Sequence, residues 1–78
     1  MKFKEYDVVK VVSLLTESRR IDGTDSIMRQ PKIGDVGTIV NVLDDAGYES
    51  KYIVESVNQD GMTVWLADFK HSELELKI

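Results

Sequence analysis

Gly34-Asp35-Val36-Gly37-Thr38-Ile39-Val40 carries the strongest fold signal in this chain. Glycine at both ends of a Gly-x-x-Gly unit lets the backbone turn sharply and approach a neighbouring strand closely. The β-branched residues that follow favour an extended strand. This combination is expected where a strongly bent strand enters a small β-barrel, so it predicts an architecture and no chemistry.

The chain on either side of residues 34–40 adds further strands. A β-branched run within Val8–Leu15 predicts a first strand. We expect its Val9 and Val11 to face inward and its Lys10 to face outward. Because apolar residues in this run also match helical spacing, a helix is the alternative there. A second strand is expected up to Leu43, and its alternation fails midway, which indicates a bulge.

The C-terminal half alternates strand patterns with turn signals. A third strand is expected over Lys51–Val57, with Tyr52 and Ile53 on opposite faces. The Asp-Gly pair in Asn58-Gln59-Asp60-Gly61 then predicts a hairpin turn. A fourth strand follows over Met62–Ala67. The remaining residues predict a helical turn over 68–71 and a final strand over 74–78, because Leu74, Leu76 and Ile78 alternate with charged residues.

These elements predict an all-β fold of five short strands. It has a long first loop over Thr16–Ile33 and a short 3-10 turn before the last strand. At 78 residues the chain is expected to be a single domain over residues 1–78. It has no cysteine and one histidine, so neither disulfides nor a typical zinc site can supplement its core. We expect a cytoplasmic protein with no metal, no cofactor and no membrane span.

Charge is unevenly distributed along the chain. The net charge is −4, yet residues 1–33 carry a net +2 and residues 34–78 a net −6. An acidic total argues against a dedicated nucleic-acid binder, which needs a basic face. Attraction between unlike surfaces of two molecules and simple solvation of the charges both stay open.

The long first loop supplies the first set of candidate site residues. Arg19, Arg20 and Arg29 lie in it, and arginine forks suit carboxylate or phosphate groups. We therefore predict that these three residues contact a partner. The alternative is a mobile, solvated loop in which acidic residues such as Asp22 and Asp25 offset the arginines.

Aromatic residues supply the second set. Alternation in the fourth strand predicts that Met62, Val64 and Leu66 face inward, which leaves Trp65 on the outer face. Tyr48 lies beside a turn. An exposed tryptophan is a common interface anchor, and we predict that Trp65 and Tyr48 contact a partner. The alternative is that Trp65 packs beneath the long loop in a satellite core.

The chain resembles several families built on the SH3-like barrel. One is a family of short bacterial proteins of unknown function, whose motifs three stretches of this chain resemble. The stretches are Tyr6-Asp7-Val8-Val9, residues 34–40 and Tyr52-Ile53-Val54-Glu55. Val64-Trp65-Leu66-Ala67-Asp68-Phe69 gives a weaker likeness to the SH3-like domain of nitrile hydratase beta subunits. The small SH3-like protein of photosystem I and the variable chain of ferredoxin–thioredoxin reductase are also similar. The Gly-x-x-Gly unit resembles the KOW motif.

These likenesses imply a small five-stranded SH3-like barrel with a scaffold or binding role and no catalytic residue. We predict a non-enzymatic protein-interaction or accessory module that is a monomer or weak homodimer and has a protein partner. The alternatives are an accessory subunit of a larger enzyme complex and a KOW-like nucleic-acid-binding module. No catalytic triad is expected, because His71 and Ser72 are merely neighbours in sequence.

Overall fold

Five antiparallel strands form one sheet. The computed structural model describes residues 2–16, 18–23, 27–43 and 50–77. Its strands are β1 (Val8–Val11), β2 (Val36–Leu43), β3 (Lys51–Val57), β4 (Thr63–Lys70) and β5 (Leu74–Leu76). A 3-10 turn, His71–Glu73, joins β4 to β5. The strands pair in the order β4-β3-β2-β1-β5.

This arrangement confirms the predicted all-β fold, its long first loop between β1 and β2, and its 3-10 turn before the last strand. Strands that follow one another in sequence are neighbours in the sheet, except that β5 crosses over to pair with β1, where Val11 lies opposite Leu74. β4 and β5 stand at the two ends of the strand order. Within the described residues no ladder joins them, so hydrogen bonding leaves the barrel open there.

Glycine is required where β2 approaches β3. A Cβ atom on Gly37 would lie 2.7 Å from Val54 Cγ1 and 2.8 Å from the carbonyl oxygen of Glu55. Both distances are too short for a side chain, so any other residue would push the two strands apart. Gly34 makes the preceding turn with φ of +96°. Its N–H donates to the Val11 carbonyl oxygen at 2.8 Å.

The core lies on the inner face of the bent sheet. The register between β2 and β3 shifts between Ile39 and Asn41, which confirms the predicted bulge. Val9 and Tyr52 are fully buried, in agreement with the predicted inner faces of β1 and β3. Burying one such side chain stabilises the fold by roughly 1.5–3 kcal/mol. The buried hydrophobic residues are Phe3, Val9, Val11, Ile39, Tyr52, Val54, Trp65, Ala67, Phe69 and Leu74.

β4 faces the opposite way from the prediction. Trp65 is 0% exposed, and Ala67 and Phe69 are buried on the same side, so the prediction that Trp65 lies on the outer face is wrong. The indole packs against Phe69 with ring centroids 5.4 Å apart. Val64 and Leu66, expected inside, lie on the outer side and are only half-buried. The apolar set that decides the orientation is therefore Trp65, Ala67 and Phe69.

The end of β4 explains this error. The sequence pattern ended the fourth strand at Ala67 and predicted a helical turn over residues 68–71. In the structure β4 continues to Lys70, and the turn is His71–Glu73. Leaving Phe69 out of the strand removed the bulky inward residue that fixes the orientation of the strand.

Candidate functional site

The first loop packs along the outer edge of β4. Asp22 and Leu66 exchange both backbone hydrogen bonds, at 3.0 Å and 2.7 Å, and the Arg29 N–H donates to the Val64 carbonyl oxygen at 3.3 Å. Gly23 permits this close approach, because a Cβ there would lie 2.9 Å from the Val64 carbonyl oxygen. The described part of the loop is thus an ordered border of the sheet, and it covers a strand edge that would otherwise be unpaired.

Arg19 and Glu73 fix the first half of the loop to the 3-10 turn. Arg19 Nη2 donates to Glu73 Oε2 at 2.6 Å, and Nη1 donates to Glu73 Oε1 at 3.3 Å. The same Nη1 donates to the Asp68 carbonyl oxygen at 2.7 Å, and the guanidinium lies 4.4 Å from the centre of the Phe69 ring. The side chains are only 9% and 3% exposed. This is a buried, bidentate ion pair.

Glu73 also accepts hydrogen bonds from two backbone N–H groups that belong to different parts of the chain. The N–H groups of Leu15 and Lys70 each donate to its carboxylate at 2.9 Å. Burial raises the pKa of Glu73, but the hydrogen bonds from Arg19, Leu15 and Lys70 outweigh that effect, and the pKa lies below its ordinary value. The carboxylate is therefore ionised and joins the first loop, β4 and the 3-10 turn.

Asp35 and Arg29 fix the second half of the loop next to β2. Arg29 donates to both carboxylate oxygens of Asp35, at 2.7 Å and 3.1 Å. Trp65 Nε1 and the Lys32 N–H each donate to Asp35 Oδ2 at 2.9 Å. Partial burial raises the pKa of Asp35, and the hydrogen bonds from Arg29, Lys32 and Trp65 bring it below its ordinary value. Here the arginine is 41% exposed.

These contacts change the roles expected for the sequence-predicted site residues. The guanidinium groups of Arg19 and Arg29 are occupied by carboxylates of this chain, and Trp65 is buried with its N–H on Asp35. Arg20 is exposed, and its side chain makes no ion pair within the described residues. Tyr48 lies outside the described residues. Of the four predicted partner-binding residues that the structure describes, Arg20 is exposed without an ion pair, Arg29 is exposed but paired with Asp35, and the side chains of Arg19 and Trp65 are buried.

The outer face of the sheet carries a shallow groove that the sequence did not single out. We call it the outer groove. Its floor is apolar, formed by Leu43, Ile53 and Leu66 from three adjacent strands, and Leu43 is 47% exposed. The groove has a volume of about 300 Å³. Its lining residues are Arg20, Asp22, Leu43, Lys51, Ile53, Leu66, Ala67 and Asp68.

A second, smaller cavity adjoins the outer groove. We call it the lysine cavity, because the exposed side chains of Lys51 and Lys70 lie at its border. Its volume is about 170 Å³, and Lys51 and Asp68 line both depressions. The remaining walls come from Leu15 and the first loop, from Phe69 of β4 and from Glu73 of the 3-10 turn. The lining residues are Leu15, Thr16, Ser18, Arg19, Lys51, Asp68, Phe69, Lys70 and Glu73.

A signal for the outer groove existed in the sequence. Ile53 was expected on the face opposite Tyr52, and an apolar residue on the outer face of a strand is ordinary when it is alone. Leu43 on β2 and Leu66 on β4 lie diagonal to Ile53 and are also apolar, whereas the direct partners of Ile53 across the sheet are Asn41 and Asp68. The groove could be recognised only once the orientation of β4 was known, because the predicted orientation put Leu66 inside.

Metal-ligating residue types and the single histidine were located among the described residues. No cluster of three or more potential metal-ligating side chains occurs among them. The single histidine, His71, is half-buried and stacks on Phe3 with ring centroids 4.6 Å apart. The chemistry that the site offers is apolar contact in the outer groove and charge at its border.

Comparison with known proteins adds no relative. No family model, no curated protein and no solved structure matches this chain. A separate search of the described residues for helices found none with the length and apolar character needed to span a membrane.

Proposed function

We propose that this chain is a non-enzymatic protein-interaction module and that its outer groove binds a polypeptide segment of a partner protein. The observation that carries the proposal is the apolar floor of the groove. Leu43 and Leu66 each lie diagonal to Ile53 on the solvent side of three adjacent strands, and all three side chains line the groove. The outer face of an antiparallel sheet is usually polar, and an apolar patch with a polar border is typical of an interaction site.

The border of the groove favours a polypeptide partner. Arg20 and Lys51 carry positive charge there, and Asp22 and Asp68 carry negative charge. Peptide segments present both apolar side chains and groups of either sign, so they can match a floor and border of this kind. At about 300 Å³ the groove is at the small end of the range for small-molecule sites and has room for one or two side chains.

Nucleic-acid binding is the less favoured alternative. The KOW-like Gly-x-x-Gly unit and the basic first loop suggest it, but Arg19 and Arg29 of that loop pair with Glu73 and Asp35. The net charge of −4 also opposes binding to a phosphate backbone. An accessory subunit of a larger complex would be one form of the same proposal, since it would use the groove to bind a polypeptide. A cytoplasmic location belongs to the proposal too, and the lack of cysteine is compatible with it.

The test is selection of peptides from a displayed random library, followed by affinity measurement with purified protein. Leu43→Asp places a charge on the groove floor, and we expect it to weaken the selected peptides at least about tenfold. Val57→Asp is the matched control, because Val57 is 52% exposed at the opposite end of β3 and does not line the groove. It should change affinity less than about twofold.

Three outcomes would overturn the proposal. One is that no peptide is selected, and another is that both variants lose binding equally. The third is that single-stranded RNA binds and competes for the groove residues. Circular dichroism of Leu43→Asp and Val57→Asp shows whether each variant is folded, so a loss of structure cannot be mistaken for a loss of the groove.

A further inference from the structure

We propose that Lys51 and Lys70 form a carboxylate-binding point, so that the partner of the outer groove is an acidic polypeptide segment. This inference rests on the proposed function and specifies the chemistry of the partner. It starts from a pairing in the sheet: Lys51 lies directly opposite Lys70 in the antiparallel register of β3 and β4. Residues directly opposite share one face of the sheet, with Cβ atoms about 4.5–5.5 Å apart.

A like-charge pair in this position destabilises a sheet, because the two ammonium groups repel each other. Within the described part of the chain, few negative groups neutralise the charges of these two ammonium groups. Lys51 Nζ lies 3.9 Å from Asp68 Oδ2, at the outer limit of an ion pair. Lys70 makes no ion pair with a carboxylate among the described residues. A bound anion would relieve the repulsion, which makes this pair a candidate binding point rather than a structural contact.

The other charges of the lysine cavity already have partners. Arg19 is held by Glu73 in the buried pair, so it contributes no free charge. The described lining residues carry three positive and two negative side chains in total. The local net charge is therefore +1 on a chain whose total is −4. One carboxylate group balances that excess.

The arrangement favours a carboxylate over a phosphate. Bidentate binding of a phosphate group needs an arginine fork, and the fork of Arg19, the arginine among the described lining residues, is occupied by Glu73 and the Asp68 carbonyl oxygen. A dianionic phosphate would also be repelled more strongly by the neighbouring carboxylates. Two ammonium groups, each a compact point charge, suit a single carboxylate.

The lysine cavity adjoins the outer groove. Lys51 and Asp68 line both. A segment that places an apolar side chain on the groove floor can therefore present a carboxylate to Lys51 and Lys70 from a nearby residue. The partner expected from this geometry is a segment in which an acidic residue lies close to an apolar one.

The experiment is a nuclear magnetic resonance titration of the ¹⁵N-labelled full chain with a capped tetraglutamate peptide. A capped tetraglutamine peptide and a tetraglutamine peptide with one phosphoserine are the comparison probes. We expect tetraglutamate to shift the amide signals of Lys51 and Lys70 in a saturable way that added salt weakens. Lys51→Gln and Lys70→Gln should each weaken binding about threefold, and Lys77→Gln, an exposed lysine outside the cavity, should leave it unchanged.

Lys70→Glu separates a binding role from a structural one. It converts the like-charge pair into an opposite-charge pair, so the melting temperature should stay the same or rise while tetraglutamate binding is lost. A fall in melting temperature with binding retained would assign the lysines a structural role and overturn the inference. Equal shifts with tetraglutamine, a response to the phosphoserine peptide only, or no shift at these amides would also overturn it.

Two further results separate this inference from the proposed function. If the library peptides bind through Leu43 but tetraglutamate does not bind, the inference fails and the proposed function stands. If tetraglutamate binds and the library peptides bind the Leu43→Asp variant as tightly as the wild type, the proposed function fails. Shifts at Lys51 and Lys70 that grow with protein concentration, without any peptide, would identify a second copy of this chain as the occupant and overturn the acidic partner.

Discussion

The two ends of the first loop use the same pairing in different surroundings. At one end Arg19 pairs with Glu73, and both side chains are almost completely buried. At the other end Arg29 pairs with Asp35, and the arginine side chain is 41% exposed although the aspartate is only 16% exposed. Both carboxylates also accept a hydrogen bond from β4: Glu73 from the Lys70 backbone N–H and Asp35 from the Trp65 indole N–H. The two ends differ mainly in how much water reaches the arginine.

This difference determines what each pair can contribute. An exposed arginine that loses its carboxylate regains water, whereas a buried one is left with an uncompensated charge. We infer that the Arg19–Glu73 pair fixes the position of the loop, and that the Arg29–Asp35 pair adds little beyond the hydrogen bond of Asp35 to Trp65. The lysine cavity lies at the strongly fixed end, since Arg19 and Glu73 form part of its wall.

The largest effect is expected from Glu73→Gln. The change leaves the Arg19 guanidinium buried without an anion, and breaking a buried pair in this way costs about 3 kcal/mol of unfolding free energy. Urea denaturation followed by tryptophan fluorescence measures it, because Trp65 is the only tryptophan.

Glu75→Gln is the matched control for Glu73→Gln. Glu75 is exposed on β5, two residues from Glu73, and its substitution should change the unfolding free energy by less than about 0.5 kcal/mol. Equal losses in the two variants would mean that the Arg19–Glu73 pair behaves like a surface pair, and the contrast between the two ends of the loop would disappear.

Acid should weaken both ends of the loop. The pKa values of both carboxyl groups are lower in the folded protein than their ordinary values of 4.5 and 3.8. Their contribution to stability is therefore complete above those ordinary values and is lost as the pH falls below them, through the lowered folded pKa values. In Glu73→Gln the loss of stability between pH 5 and pH 2 should be shallower than in the wild type. An unchanged slope would show that Glu73 does not contribute to acid denaturation.

Much of the fold was predictable from the sequence because its signals are local. Residues 34–43 combine glycines, β-branched residues and a break in alternation, and the structure has the turn, the strand and the bulge there. The strand over Lys51–Val57 was predicted with its observed bounds, because an Asp-Gly turn follows it. These features depend on neighbours within a few residues.

The site could not be predicted in the same way, because it depends on contacts between distant residues. Arg19 and Glu73 are 54 residues apart, and Trp65 and Asp35 are 30 apart. Nothing near Arg19 in the sequence indicates that its charge is neutralised by a residue of the 3-10 turn. An arginine that is occupied and one that is free look the same in sequence, so the prediction treated Arg19, Arg20 and Arg29 alike.

An intermediate effect is expected from Gly23→Ala, in the middle of the loop between the two ion pairs. The added methyl group would lie 2.9 Å from the Val64 carbonyl oxygen and 3.1 Å from that of Thr63, so the loop must move away from β4. We expect a loss of about 1 kcal/mol in unfolding free energy. Amide hydrogen exchange at Leu66, whose N–H donates to the Asp22 carbonyl oxygen, should accelerate more than exchange in β3. Equal acceleration in β3 would contradict a purely local opening.

The smallest effect is expected from Arg29→Ala. Because Arg29 is 41% exposed and Asp35 keeps its hydrogen bonds from Trp65 and Lys32, removal of the guanidinium should cost less than about 1 kcal/mol. The loss should shrink further in high salt, since exposed pairs are screened and buried ones much less so. Urea denaturation of Arg29→Ala and Glu73→Gln at low and high ionic strength measures both. A cost for Arg29→Ala as large as that for Glu73→Gln, or one insensitive to salt, would mean that exposure of the arginine is not what distinguishes the two ends of the loop.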